Sequence, residues 1–171
     1  LYGDFRVYQH HHQDGSVDVS IVLHFDCVQG HSFDYSISFA GKTYHYTVET
    51  DDSWNPQEVM LKVASPLLWW PTGQGEQHLY DLEIRCADQV ERRKIGLRKI
   101  ELISDKDETG SRFAFNVNRR EIFCKGANWI PADALQSHAT PELTRKLLQA
   151  AKDANMNMIR VTIRQIALAL L

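Results

Sequence analysis

The sequence has few cysteines, and their spacing matches neither a disulfide framework nor a zinc site. Its three cysteines, Cys27, Cys86 and Cys124, are odd in number and show no CxxC spacing. This argues against both a disulfide framework and a zinc site. Buried free thiols are the expectation, and they favour a reducing compartment.

Net charge and long apolar runs are also nearly absent. Nineteen basic side chains against 22 acidic ones give a formal net charge of −3, so the chain has no broad attraction for phosphate backbones or anionic lipid. No uninterrupted apolar stretch approaches the roughly 20 residues that cross a bilayer. The N-terminus also lacks the basic, apolar and small-residue regions that follow one another in a secretion signal. We predict no nucleic-acid partner, no membrane partner and no cofactor.

What the first hundred residues contain is alternation between apolar and polar side chains. Residues 17–25 alternate strictly, which predicts a half-buried strand. The same period of two recurs at 33–39, 44–48, 59–63, 80–84 and 91–102, with a turn at 40–42 and a change of phase at 96–99. About seven strands in about 100 residues predict an antiparallel β-sandwich.

A second unit is predicted to begin near Ser104, where residues 104–111 are polar and turn-rich. Alternation at 113–117 and a turn at 118–121 predict a hairpin. We expect the apolar run 122–126 to be a buried strand that leads into a loop at 127–133.

A helix and a further strand follow this loop. Thr140 can cap free amides, Pro141 suits the first helical position, and Glu142 complements the helix dipole. Apolar residues then recur at helical spacing through residue 155, and the run 158–161 predicts a second buried strand. A strand, helix, strand unit is typical of a parallel sheet.

Four motifs occur along the chain in a fixed order. They are LeuTrpTrpProThrGlyGlnGlyGluGlnHisLeuTyr at 68–80, IleGlyLeuArgLysIleGlu at 95–101, IlePheCysLysGlyAlaAsnTrpIleProAlaAsp at 122–133 and AlaAsnMetAsnMetIleArgVal at 154–161. Together they resemble β-mannosidases of glycoside hydrolase family 2. The resemblance covers nearly all of the chain after residue 60.

The resemblance implies a fold, mainly β, and an activity for the parent protein. In that family a jelly-roll domain precedes an immunoglobulin-like β-sandwich, which leads into a (β/α)8 barrel that hydrolyses terminal β-mannose with retention. Residues 1–104 would be the sandwich, 105–161 the first β-α-β segment of a truncated barrel, and 162–171 a non-family tail. The catalytic glutamates of the family lie on later barrel strands, so we expect this chain alone to be inactive. Its partner would be a β-mannoside, bound through the parent enzyme.

The chain departs from the family pattern in two places. Relatives continue from ArgVal into TrpGlyGlyGly, whereas this chain reads Thr162, Ile163, Arg164 and Gln165 before an apolar tail. Relatives often have an Asn-Gly turn where this chain has Arg119 and Arg120. The second departure leaves the turn type open.

Three residues that follow the first predicted barrel strand are candidates for the sugar pocket. Asn128, Trp129 and Asp133 would lie at the edge where (β/α)8 barrels build their active sites. Tryptophan stacks on sugar rings and polar groups fix hydroxyls. The alternative, favoured by how often aromatics serve packing, is that Trp129 packs the loop and Asp133 caps a turn.

Three other features invite a functional interpretation but favour a structural one. Adjacent indoles at Trp69 and Trp70 point to opposite faces of a strand, so packing is favoured over a carbohydrate platform. Consecutive histidines at 10–12 alternate faces and do not converge on one metal ion. The run 91–94 is mixed in charge and predicts a solvated face.

Two rival functions remain open. The parent could be another family 2 exo-glycosidase, such as a β-glucosaminidase or β-galactosidase, since one fold hosts several sugar specificities. The chain could instead be a stand-alone carbohydrate-binding module, because sandwiches often serve that purpose.

Overall fold

The computed structural model describes residues 4–25, 30–49, 56–106, 108–130, 140–162 and 166–170. The chain divides into two compact units. The first, which we call the sandwich unit, comprises Leu1–Leu68 and His78–Arg98. The second, the C-terminal unit, comprises Trp69–Gln77 and Lys99–Leu171. Strands dominate the described residues, and no described helix has the length and apolar character to span a membrane.

The sandwich unit contains two antiparallel sheets. One sheet has the order β1-β2-β5, from β1 (Asp4–His11), β2 (Val17–His24) and β5 (Gln57–Val63). The other has the order β4-β3-β6-β7, from β3 (Ser32–Phe39), β4 (Lys42–Glu49), β6 (Tyr80–Cys86) and β7 (Gln89–Ile95).

One apolar core joins these two sheets. Every second side chain of β2 is buried, as its alternating sequence predicts. Ile21 of β2, Ile37 of β3 and Leu82 of β6 are at most 1% exposed and belong to the same cluster. The predicted antiparallel β-sandwich is therefore confirmed.

Strand β1 was not predicted, because its inward alternation is broken. Phe5 and Val7 pack on the core, but the next residue in this phase is Gln9. Its amide group is satisfied by backbone: Nε2 donates to the Gly96 carbonyl at 3.0 Å, and Oε1 accepts from the Arg98 N–H at 3.0 Å. A polar side chain thus holds an inward position that the alternation rule assigns to an apolar residue.

The charged run at 91–94 lies on β7 with all four side chains exposed, as expected for a solvated face. Arg92 contacts Glu83 of β6 at 2.8 Å, and Lys94 contacts Asp81 at 2.8 Å. Hydrogen bonds from Arg85 and Arg92 hold the pKa of Glu83 below its usual value.

The C-terminal unit contains two smaller sheets and a helix. An antiparallel sheet has the order β10-β9-β8, from β8 (Ile100–Ile103), β9 (Ala114–Val117) and β10 (Arg120–Ile122). A second sheet has the order β11-β12-β13, from β11 (Gly126–Trp129), β12 (Met158–Thr162) and β13 (Ile166–Leu170). Strands β11 and β12 are parallel, whereas β13 runs antiparallel to β12.

Helix α1 (Pro141–Asp153) connects the two parallel strands and begins where the sequence predicts. The Thr140 hydroxyl accepts the Leu143 N–H at 3.2 Å, and Pro141 is the first helical residue. The helix is followed by Asn155 at a φ of 57°, a left-handed conformation that asparagine tolerates. The predicted strand, helix, strand unit is confirmed.

The buried strand predicted over 122–126 is wrong in position. Pairing in β11 begins only at Gly126, and Phe123 is 82% exposed. The backbone of the segment 123–125 hydrogen-bonds instead to the side chain of Asn157. Hydrogen bonds from the Asn157 side chain to Phe123 and Lys125 therefore take the place of the neighbouring strand that the apolar run predicts.

Candidate functional site

The parallel pair β11 and β12 places two polar side chains beside each other. Asn128 is the partner of Arg160 in the register, and both residues are exposed. Because side chains alternate along a strand, this pair shares one face of the sheet. A guanidinium offers a rigid fork of donors, and an amide offers both a donor and an acceptor. The side chains of Asn128 and Arg160 can therefore bind hydroxyl or carboxylate oxygens.

Sequence reasoning missed Arg160. The residue interrupts the apolar run Met158–Val161, which predicts a buried strand. A charged residue inside an apolar run indicates either a polar partner or a position on the exposed face of the strand, because a buried charge needs a partner. That signal could have identified Arg160.

Trp129 leaves β11 on the other face, because it is adjacent to Asn128 in the strand. It is half-buried and is the register partner of Val161. A cavity of about 340 Å³ lies between the sheet and α1. Its wall includes Asn128 and Trp129 together with Leu147, Ala150, Ala151 and Ile159. The wall is mostly apolar, as expected where a helix covers a sheet.

The three predicted site residues are thus only partly located. Asn128 stands beside Arg160, Trp129 stands on the helix side, and Asp133 lies outside the described residues. Their role in lining a sugar pocket stays a prediction.

A second groove, of about 590 Å³, lies between the segment 69–77 and α1. Thr72 and Gln77 line it from the segment, and Thr144, Arg145, Leu148 and Lys152 line it from the helix. Retaining glycoside hydrolysis requires two carboxyl groups about 5 to 5.5 Å apart. Among the residues the structure describes, neither this groove nor the cavity beside Trp129 has a carboxylate in its wall.

The segment 69–77 contacts the β9–β10 hairpin through Arg120. Trp69 is 8% exposed, whereas Trp70 is half-buried. The guanidinium carbon of Arg120 lies 4.2 Å from the centroid of the Trp70 ring, and the guanidinium donates to the Gln74 carbonyl at 3.1 Å. One face of the Trp70 indole is therefore occupied by a cation, as in other cation–π pairs.

The hairpin turn left open by sequence is a two-residue turn at Asn118 and Arg119. Val117 pairs with Arg120, and the two residues between them have φ values of 51° and 69°. Two successive positive φ values identify a type I′ turn. The turn type is thus the one that Asn-Gly favours, but it lies one position earlier than the 119–120 expected from sequence: Asn118 holds the first turn position and Arg119 the second, where glycine is favoured.

The histidines at 10–12 form contacts on the sandwich surface. The rings of His10 and His12 lie 4.6 Å apart between centroids, and His12 Nε2 contacts Asp18 Oδ2 at 2.7 Å. Across the part of the chain that the structure covers, no group of three or more histidine, cysteine or acidic side chains could hold a metal ion.

Comparison with known proteins gives consistent results. Residues 3–98 match the family model of glycosyl hydrolases family 2. β-Mannosidase B of Emericella nidulans is 36% identical over 132 residues, which is 74% of this chain and 16% of that protein. The crystal structure of a β-D-mannosidase from Dictyoglomus thermophilum superposes with a TM-score of 0.85 at 29% identity, over 94% of this chain and 21% of that one.

A putative β-galactosidase from Bacteroides fragilis shares the fold alone. It superposes with a TM-score of 0.74 at 16% identity, over 95% of this chain and 25% of that one. The chain spans only 11 to 17% of the length of the curated relatives it matches. The family match covers more than half of the chain, and the chain therefore belongs to glycosyl hydrolases family 2.

Proposed function

We propose that the chain is part of a retaining exo-β-mannosidase that hydrolyses terminal β-D-mannose residues. The observation that carries this proposal is the similarity to proteins named β-mannosidase, at 36% identity in sequence for one and at a TM-score of 0.85 for a solved structure. Since the chain matches about a sixth of the first of these relatives, the activity belongs to a longer polypeptide.

Within that enzyme, residues 1–104 are an immunoglobulin-like sandwich that braces the catalytic domain. Residues 105–161 begin a (β/α)8 barrel, and residues 162–171 are a non-family tail. The parallel unit β11, α1 and β12 supports the barrel assignment, because such barrels repeat this unit.

The carboxyl ends of β11 and β12 face the sugar pocket in this proposal. Asn128, Trp129 and Asp133 line it, and the register adds Arg160 beside Asn128. The catalytic glutamates lie on barrel strands beyond this chain, so the 171-residue chain contributes part of the pocket wall to the longer polypeptide and does not itself cleave the substrate.

The test compares the longer polypeptide with the 171-residue chain on p-nitrophenyl β-mannoside, β-glucosaminide and β-galactoside. We expect the longer polypeptide to prefer the mannoside and the short chain to show no turnover. Preference for another sugar would favour a different exo-glycosidase. Turnover by the pure short chain would contradict the assignment of its catalytic groups.

Calorimetric titration of the short chain with mannose and manno-oligosaccharides tests the remaining rival. We expect little or no binding, because the pocket is incomplete. Tight binding would instead indicate a stand-alone carbohydrate-binding module.

A further inference from the structure

A fully buried amide stands at the start of the parallel strand pair. Asn157 has no exposed surface. Its Oδ1 accepts the Lys125 N–H at 2.8 Å, and its Nδ2 donates to the Phe123 carbonyl at 3.0 Å. Its own N–H donates to the Lys125 carbonyl at 2.9 Å. Both polar atoms of the side chain are therefore satisfied by the chain segment that leads into β11.

These hydrogen bonds are specific for one alignment of the strands. Burying an amide without partners costs roughly 1 to 3 kcal/mol, as judged from protein variants. The groups that Asn157 contacts belong to Phe123 and Lys125, two positions apart, and backbone groups of an extended chain alternate in direction. A slip by one residue would present groups that point away and leave the buried amide unpaired.

Gly126 provides a second constraint on the same alignment. A Cβ atom at this position would overlap the Met158 carbonyl oxygen. The φ of Gly126 is not among the positive values, so glycine is needed here for close approach rather than for conformational freedom. The register pairs Gly126 with Met158, one step beyond Asn157.

We propose that Asn157 is a positioning residue that sets the register of β11 and β12, and so places Arg160 beside Asn128. A slip by one residue would exchange the faces of one strand and separate these two polar side chains. This role of Asn157 does not depend on which sugar the parent enzyme cleaves.

Disulfide trapping in the 171-residue chain tests the register directly. In a background carrying Cys27→Ser and Cys124→Ser, the pair N128C and R160C is compared with the pair N128C and V161C, which a slip by one residue would bring together. Neighbouring strands lie about 4.8 Å apart, which is inside the range of about 4.4 to 6.8 Å that Cα atoms of a disulfide require. Effective thiol concentrations are measured in glutathione buffers, and mass spectrometry identifies the linked peptides.

We expect the 128–160 disulfide to form with an effective concentration at least about tenfold above that of 128–161. Adding Asn157→Ala should lower this ratio severalfold, because the amide no longer favours the native register and only the close approach at Gly126 still does. Asn157→Asp keeps the acceptor for Lys125 and should retain part of the preference. Asn116→Ala, an amide removed from the same unit at β9, is the matched control and should leave the ratio unchanged.

Three results would overturn the proposal. The first is failure of the 128–160 pair to outcompete the 128–161 pair in the starting background. The second is an unchanged ratio in the Asn157→Ala protein. The third is an equal loss in the Asn116→Ala control, which would assign the effect to general destabilisation.

Discussion

The side-chain amide of Asn118 donates a hydrogen bond to the backbone carbonyl of Trp69, 3.0 Å away and 49 positions earlier in the chain. The other end of the same amide accepts the Lys99 N–H at 3.0 Å, and the backbone N–H of Asn118 donates to the Lys99 carbonyl at 2.9 Å. Asn118 thus lies in the β9–β10 turn, connects this turn to Lys99 immediately before β8, and binds the segment 69–77 through Trp69.

We predict that Asn118→Ala lowers the free energy of unfolding of the C-terminal unit by about 1 to 3 kcal/mol, because two backbone groups lose their partner. Asn118→Gly removes the same hydrogen bonds but tolerates the φ of 51°. It should therefore fall between alanine and the natural residue. Urea denaturation followed by tryptophan fluorescence measures both variants, and equal stability of all three proteins would contradict the role of this amide.

Arg119→Gly should stabilise the chain. Arg119 has a φ of 69°, and a left-handed conformation costs a residue with a Cβ roughly 1 to 2 kcal/mol. After allowance for the added freedom of glycine in the unfolded chain, we expect a gain of about 0.5 to 1 kcal/mol. Thermal denaturation of the variant is the measurement.

Arg120→Gly, at the next position, is the matched control for Arg119→Gly. It removes the cation over Trp70 and the hydrogen bond to Gln74, so it should destabilise the chain. A loss of stability in the Arg119→Gly protein would show that its side-chain contacts outweigh the backbone strain.

Stability should decrease at alkaline pH through Tyr35. Burial, with electrostatic repulsion from Tyr46 as a lesser cause, raises the pKa of Tyr35 to about 12 from 10.0. A group whose folded pKa is raised contributes stability that is complete below the unfolded pKa and lost as the pH rises through the folded pKa. The loss should therefore fall between about pH 10 and pH 12 and amount to about 2 to 3 kcal/mol.

Urea midpoints measured across this pH range, with the tyrosinate absorbance followed in parallel, check the prediction. Tyr35→Phe removes the titrating hydroxyl and should reduce the slope of stability against pH. An unchanged slope in this variant would assign the alkaline loss to other groups.

Hydrogen exchange should differ between the two units. The sandwich unit has a continuous core, whereas α1 has no buried residue. Amides of residues 17–48 that are bonded in strands should therefore exchange much more slowly than those of residues 122–161, because protection follows the buried apolar contacts around a segment. Equal protection of both stretches, measured by mass spectrometry on peptides, would contradict this expected difference in stability between the two units.

Most of the sandwich could be predicted from alternation, because strands such as β2 bury every second side chain. Strand β1 could not, since Gln9 fills an inward position and is satisfied by the Gly96 carbonyl. Strand β11 was displaced in the prediction because the apolar run before it bonds to a distant side chain, Asn157. Both failures share a cause: a polar side chain satisfied by backbone that is remote in sequence leaves no local pattern.

The candidate site was predicted in part. The motif at 122–133 directed attention to Asn128 and Trp129, but their separation to opposite faces follows only from knowing that they lie in a strand. Arg160 belongs to the candidate site because the strand register pairs it with Asn128. Register is set by contacts between segments some 30 positions apart, such as that of Lys125 with Asn157, and no window of sequence contains both.

Strand β13 has a consequence for handling the protein at high concentration. Its segment Ile166–Leu170 is uncharged, and β12 is its one partner among the described strands. No described strand pairs with its opposite edge, and an open strand edge is the arrangement that recruits further chains into a growing sheet. Light scattering that rises with protein concentration, and that falls when a lysine is placed at Ala167, is the colloidal behaviour expected of such an edge.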